Sequence, residues 1–215
     1  MDATLYVILD RAAARGRDLD EILAAAIEGG CRMVQLREKA WPSGRLLPLA
    51  ERLRARCRRA GVTFVVNDRV DLALAVAADG VHLGQDDLPP GAARPLLRPG
   101  MILGRSTHSL EQATRARDDG ADYIAVGSMF ATATKPGFEL VGPDLLRRIR
   151  PLTERPLVGI GGITDANVAE VIRAGADGVA VISAVCGAPD PAAATRGFLA
   201  AIRAARDLTG RTPPL

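Results

Sequence analysis

At 215 residues with a formal net charge of +3, the chain suits one large domain, since α/β barrels of this length fold around a single core. Hydrophobic residues make up 48% of it and aromatics only 3%, so the interior is built from Val, Ile, Leu and Ala. Arg52, Arg54, Arg56, Arg58 and Arg59 come closest to a basic cluster, but they read as the wet face of a helix carrying Leu49 and Leu53, which excludes nucleic acid as a partner.

Eight short apolar runs alternate with amphipathic stretches, at 4–9, 32–37, 62–66, 80–84, 101–105, 122–127, 156–160 and 178–182. The first, Thr4 to Leu9, is too short for a secretory leader, and no later run reaches membrane-spanning length. The next stretch places Leu19, Ile22, Leu23, Ala26 and Ile27 on one helical face. Asp18-Leu-Asp-Glu21 and Ser109-Leu-Glu-Gln112 read as capping boxes. Gly29-Gly30, Gly61, Gly80, Gly120 and Gly175 read as left-handed helix ends. Three helix exits repeat: Ala78-Asp79-Gly80, Gly120-Ala121-Asp122 and Gly175-Ala176-Asp177. Cys31, Cys57 and Cys186 are odd in number and lack a C-x-x-C, which suits a reduced cytoplasmic protein. Eight βα units spaced by roughly 25 residues predict a closed (β/α)8 TIM barrel over 1–215, a single domain. An open doubly wound sheet is disfavoured, because Asp10 rather than a G-x-G-x-x-G turn follows the first strand.

Barrel chemistry gathers where the strands end. Leu9-Asp10-Arg11 after the first strand carries no signal. In Gln35-Leu36-Arg37-Glu38-Lys39, alternation sends Gln35, Arg37 and Lys39 to one side and Leu36 and Glu38 to the other. The third strand ends in Asn67-Asp68 and the fourth in Gln85-Asp86-Asp87. Carboxylates on neighbouring strand ends repel unless a cation lies between them, and two carboxylates plus substrate phosphates are the usual surroundings of Mg²⁺. Asp68 as a plain helix cap is the competing reading, and Asp86 is an alternative to Asp87. Ser106 after the fifth strand is placed to donate to a ligand oxygen. His82 reads as a packed barrel residue. The loop after the sixth strand, 128–137, is rich in small hydroxyls. Gly161-Gly162 after the seventh strand and Ser183 after the eighth occupy the usual barrel site for a phosphate monoester, a tight turn being the bland alternative.

The chain holds 26 arginines but only two lysines, Lys39 and Lys135, each beyond a strand-like run. A composition that uses Arg wherever charge alone matters leaves Lys where a compact point charge is wanted, as against phosphate.

Taken together, Gln35-Leu-Arg-Glu-Lys39, Val66-Asn-Asp68, His82-Leu-Gly-Gln-Asp-Asp87, Thr132-Ala-Thr-Lys135, Gly159-Ile-Gly-Gly-Ile163 and Ile182-Ser183 resemble the thiamine-phosphate synthases, in order from about residue 4 to residue 205. The resemblance implies a transferase joining an aminopyrimidine-methyl diphosphate to a thiazole-ethanol phosphate by a dissociative route. It implies one Mg²⁺ per subunit on Asp68 and Asp87. The pyrimidine diphosphate would be bound by Gln35, Leu36, Arg37, Glu38, Lys39, Asn67, Ser106 and Lys135, with Lys39, Ser106 and Lys135 in the catalytic set. The thiazole phosphate would be bound by Thr132, Ala133, Thr134, Gly162, Ile182 and Ser183. Partners are then small phosphorylated molecules, with neither nucleic acid nor membrane, and the oligomeric state is left open, a homo-oligomer included. The chain departs from the family at Ser128 and Ala131, where proline is usual. Gly104-Arg105-Ser106 also resembles the thiazole tautomerases, but those typically lack the aspartate pair and carry histidine where Ser128 stands. A non-catalytic sensor of thiamine precursors is the third reading, disfavoured by the intact aspartates and lysines.

Overall fold

The computed structural model describes residues 1–132 and 140–208. Strands β1 (Leu5–Asp10), β2 (Met33–Arg37), β3 (Thr63–Asn67), β4 (Gly80–Leu83), β5 (Ile102–Thr107), β6 (Tyr123–Val126), β7 (Leu157–Ile160) and β8 (Gly178–Val181) form the expected closed barrel, each parallel to its sequence neighbours, with β8 paired to β1. Helices α1 (Leu19–Glu28), α2 (Ser43–Ala60), α3 (Val70–Ala75), α4 (Pro90–Ala93), α5 (Leu110–Asp118), α6 (Gly142–Ile149) and α7 (Val168–Arg173) fill the crossovers. After β8 come α8 (Ser183–Cys186) and α9 (Pro191–Asp207). Among the described residues no helix is long and apolar enough to cross a membrane.

Parallel strands are buried on both faces, which is why the runs read as continuously apolar. Alternation divides them: Tyr6, Met33, Val65, Tyr123, Val158 and Ala180 fill the barrel interior, while Val34, Leu36, Phe64 and Leu103 pack under the helices. Gly104 makes the interior arrangement possible. A Cβ there would lie 2.1 Å from Tyr123 Cζ, so only glycine lets that ring cross β5. The Tyr123 hydroxyl thereby reaches Tyr6 Oη at 3.0 Å and His82 Nδ1 at 2.8 Å.

The repeated helix exits have a common job at the opposite end of the barrel. Asp79, Asp122 and Asp177 each accept the backbone N–H of Phe64, Leu103 or Leu157, all at 2.8 Å, and each pairs with an arginine, Arg54, Arg94 or Arg150. Each carboxylate thus satisfies an N–H at the start of the preceding strand that the sheet leaves unpaired.

Three local expectations change. Ser109 accepts from Gln112 N–H at 3.1 Å as a cap should, but Gln112 Oε1 returns to His108 N–H rather than closing a reciprocal box. Asp18 caps α1 through Asp20 N–H at 2.8 Å, one residue earlier than a capping box requires. Gly80 is not a helix end either. It begins β4, where a Cβ would meet Ile102 O at 2.5 Å. The left-handed residue at that exit is Ala77, with φ +50°, at the place where the other exits have Gly30, Gly120 and Gly175. A left-handed alanine costs more than glycine loses in chain entropy, and Ala77 is exposed. Ala77→Gly is therefore expected to raise the melting midpoint by about 2 °C, read by thermal unfolding; a lower midpoint would contradict the strain.

Candidate active site

The C-terminal strand ends enclose a cavity of about 260 Å³. From the expected diphosphate set, Arg37, Lys39, Asn67 and Ser106 line it, together with the expected metal pair, Asp68 and Asp87. From the expected phosphate set, Thr132, Gly162, Ile182 and Ser183 do so. Ala133, Thr134 and Lys135 lie outside the described residues. Gln35 sits deeper, 2% exposed, with Nε2 donating to Tyr6 Oη at 2.6 Å. Leu36 packs under the helices, and Glu38 turns into its own loop.

The acidic corner is built by backbone geometry. Asp68 follows the last residue of β3 in the left-handed region, φ +62°, its N–H donating to His82 O at 2.8 Å. Asp and Asn are among the few side chains that tolerate this conformation. Asp68 is no helix cap, because Arg69 occupies that position at α3 and makes no side-chain capping bond. Asp87 accepts Gly84 N–H at 2.7 Å. Burial first, and then the hydrogen-bonded Asp68 carboxyl, push the Asp87 carboxyl above its ordinary value. Asp87, rather than Asp86, is thus the residue whose carboxyl meets that of Asp68. Lys39 Nζ lies 3.1 Å from Asp68 Oδ2 and offsets part of the repulsion.

The first strand end, which carried no signal in sequence, supplies the counter-charge for Arg37. The β1–β2 register sets Asp10 directly beside Arg37, and their side chains form an ion pair. Asp10, 4% exposed, also accepts Ala13 N–H at 3.0 Å. Arg37 Nε is buried without a hydrogen-bond partner among the described residues.

Ser106 is held from below. Its Oγ lies 2.8 Å from His82 Nε2, and its carbonyl accepts Gln85 Nε2 at 2.6 Å. His82 is buried and stacked on Tyr123, as expected of a packed residue, but it also links that tyrosine to Ser106. The linked side chains are too far apart in sequence for any motif to reveal. His108, which also lines the cavity, lies 2.6 Å through Nδ1 from Gly127 O.

On the other side, Gly161 (φ +100°) and Gly162 (φ +64°) do more than turn the chain. A Cβ on Gly162 would lie 2.6 Å from Ala131 O and 2.7 Å from Phe130 O. The loop after β6 runs against this turn, with Met129 N–H donating to Ile160 O at 2.9 Å and Phe130 N–H to Gly161 O at 3.0 Å. Ser128 O accepts Val141 and Gly142 N–H, closing the base of that loop.

The donor set limits which metals fit. Among the described residues no group of three or more His, Cys, Asp or Glu could hold an ion. Asp68 and Asp87 offer only carboxylate oxygens, which suit a hard cation completed by ligand oxygens and do not suit thiolate- or imidazole-seeking metals.

Residues 5–185 match the thiamine monophosphate synthase family. The chain belongs to that family. It is 50% identical over 208 residues to the thiamine-phosphate synthase of Roseiflexus sp. strain RS-1, covering 96% of this chain and 88% of that one. It is 50% identical over 204 residues to the thiamine biosynthesis bifunctional protein ThiM/ThiE of Symbiobacterium thermophilum, which takes 94% of this chain but only 42% of that longer protein. Thiamine phosphate pyrophosphorylase from Pyrococcus furiosus superposes with a TM-score of 0.87 at 39% identity, over 95% of this chain and 97% of that one. Thiamine monophosphate synthase membership bears out the resemblance and the transferase class that the resemblance implied. Within this family frame the cavity divides into an acidic and cationic half at β2–β5 and a glycine and hydroxyl half at β6–β8.

Proposed function

We propose that the chain joins an aminopyrimidine-methyl diphosphate to a thiazole-ethanol phosphate, giving thiamine phosphate and diphosphate, in the cytoplasm. The observation that carries this reading is the Asp68–Asp87 carboxyl pair beside Lys39 in the cavity that Arg37 also lines. Asp68 and Asp87 would hold one Mg²⁺, which when bound supplies positive charge to the diphosphate oxygens. Arg37 and Lys39, with Lys135, stabilise the negative charge that grows as the carbon–oxygen bond to diphosphate breaks. The electron pair goes to the leaving oxygen, and the resonance-stabilised pyrimidine cation is captured by the thiazole nitrogen lone pair. The β7 and β8 ends hold the thiazole phosphate alongside, an orientation task that needs no protein nucleophile.

The test combines both substrates with Mg²⁺ and measures thiamine phosphate. Product is expected, and should collapse with Asp68→Ala; turnover without metal, or undiminished in that variant, would sink the reading. Conversion of thiazole phosphate alone would mark a tautomerase instead. Lys39→Arg is expected to cost about tenfold or more in kcat/KM, because a guanidinium fork can clamp the Asp68 carboxylate bidentately where an ammonium leaves it available. Lys135→Arg should also lower activity, and full activity in both would show that charge alone suffices.

A further inference from the structure

Lys39 is 60% exposed and rides on the connection between β2 and α2, so its position depends on what holds that loop. Glu38 holds it from inside. Its side chain is only 4% exposed, and it accepts Ala40 N–H at 2.6 Å and Arg11 Nε at 2.6 Å. Burial alone would raise its carboxyl, but the Ala40 amide and the Arg11 guanidinium outweigh it and keep the group ionised.

The outer side of the same loop is held by Trp41, the only tryptophan of the chain, which packs against the core outside the cavity. Two guanidinium groups lie over its ring, Arg11 with Cζ at 4.9 Å and Arg45 with Cζ at 3.8 Å. Arg11 comes from the end of β1 and Arg45 from the first turn of α2, so the ring ties the loop to both neighbouring elements. Arg11 serves both contacts, joining Glu38 and Trp41 into one brace. Without it, a long flexible ammonium on an unbraced loop would give up rotamer and backbone freedom on meeting an anion.

We propose that Trp41, held by Arg11 and Arg45 and backed by Glu38, is a positioning residue that keeps Lys39 aimed at the diphosphate corner. The brace acts through Lys39 and touches no substrate; it rests on the reading that the Lys39–Asp68–Asp87 corner takes diphosphate.

The full chain is titrated with inorganic diphosphate and Mg²⁺, followed by tryptophan emission and calorimetry. Wild type should show a saturable emission change. Trp41→Ala should weaken diphosphate affinity about tenfold and raise KM for the diphosphate substrate by a similar factor, since both stacked cations are released. The KM for thiazole phosphate and kcat should stay within about twofold. Trp41→Phe keeps a ring face and should recover most of the affinity. Equal affinity in wild type and Trp41→Ala, or equal rises in both KM values, overturns the brace alone. So does a lowered melting midpoint with unchanged KM. A wild type that binds no diphosphate overturns both this proposal and the site reading beneath it.

Discussion

Asp68→Asn is expected to make the protein more stable and nearly inactive. Asparagine tolerates the left-handed backbone at this position as well as aspartate does, so the fold loses nothing in φ. The substitution removes the carboxyl that presses on Asp87, and the ion pair it sacrifices is to a Lys39 side chain 60% in solvent, worth little. The melting midpoint should rise by a few degrees, the size expected from about 1 kcal/mol in a chain of this length. Thiamine phosphate formation should fall by about a hundredfold or more, the usual scale for losing one group that stabilises developing charge. Folded Asp87 holds its proton more tightly than the unfolded chain does. Its contribution to stability is therefore complete below the ordinary value of 3.8 and is lost as pH rises through the raised folded value. The stability gap between the variant and wild type should accordingly be widest near neutral pH and narrow on acidification. Added Mg²⁺ should raise the wild-type midpoint and leave the variant unmoved. Thermal melts across pH, with and without metal, check each arm; a variant that melts lower or keeps its rate would refute the carboxyl-pair account.

These expectations rest on features of unequal visibility in the sequence. Asp68, Asp87, Arg37 and Lys39 could be found because a barrel presents chemistry at its strand ends and a period of two decides which side chains face inward. Asp10 could not, since its importance comes from the β1–β2 register that sets it beside Arg37. The Tyr6–Tyr123–His82–Ser106 connection draws on four strands and depends on the missing Cβ of Gly104, a relation no local pattern encodes. Glycine itself was ambiguous. Gly80 read as a helix end but serves a close approach to Ile102, while the left-handed position it suggested belongs to Ala77. Trp41 was invisible as a functional residue because its partners, Arg11 and Arg45, are indistinguishable in sequence from solvated arginines.

Gly162→Ala is the counterpart on the other half of the cavity. At φ +64° a side chain costs about 1–2 kcal/mol before any contact is considered. Its Cβ would then sit 2.6 Å from Ala131 O, 2.7 Å from Phe130 O and 2.8 Å from Phe130 C, all backbone atoms with no rotamer by which to retreat. Either the turn after β7 or the loop after β6 must move, and the Phe130 N–H bond to Gly161 O is the first to suffer. The melting midpoint should drop by several degrees, consistent with about 2–3 kcal/mol lost to backbone strain and a displaced loop. Thr132 and Gly162 line the same half of the cavity as Ser183, and a shifted loop would change their spacing, so KM for thiazole phosphate should rise at least about tenfold. Asp68, Asp87 and Lys39 lie on β2–β4 elements that this shift does not reach, and KM for the diphosphate substrate should change far less. Steady-state kinetics with each substrate varied in turn separates the two. Equal rises in both constants would mean that Gly161-Gly162 is only a tight turn whose loss damages the whole barrel mouth. A selective rise ties the glycine pair to the phosphate it was read as binding.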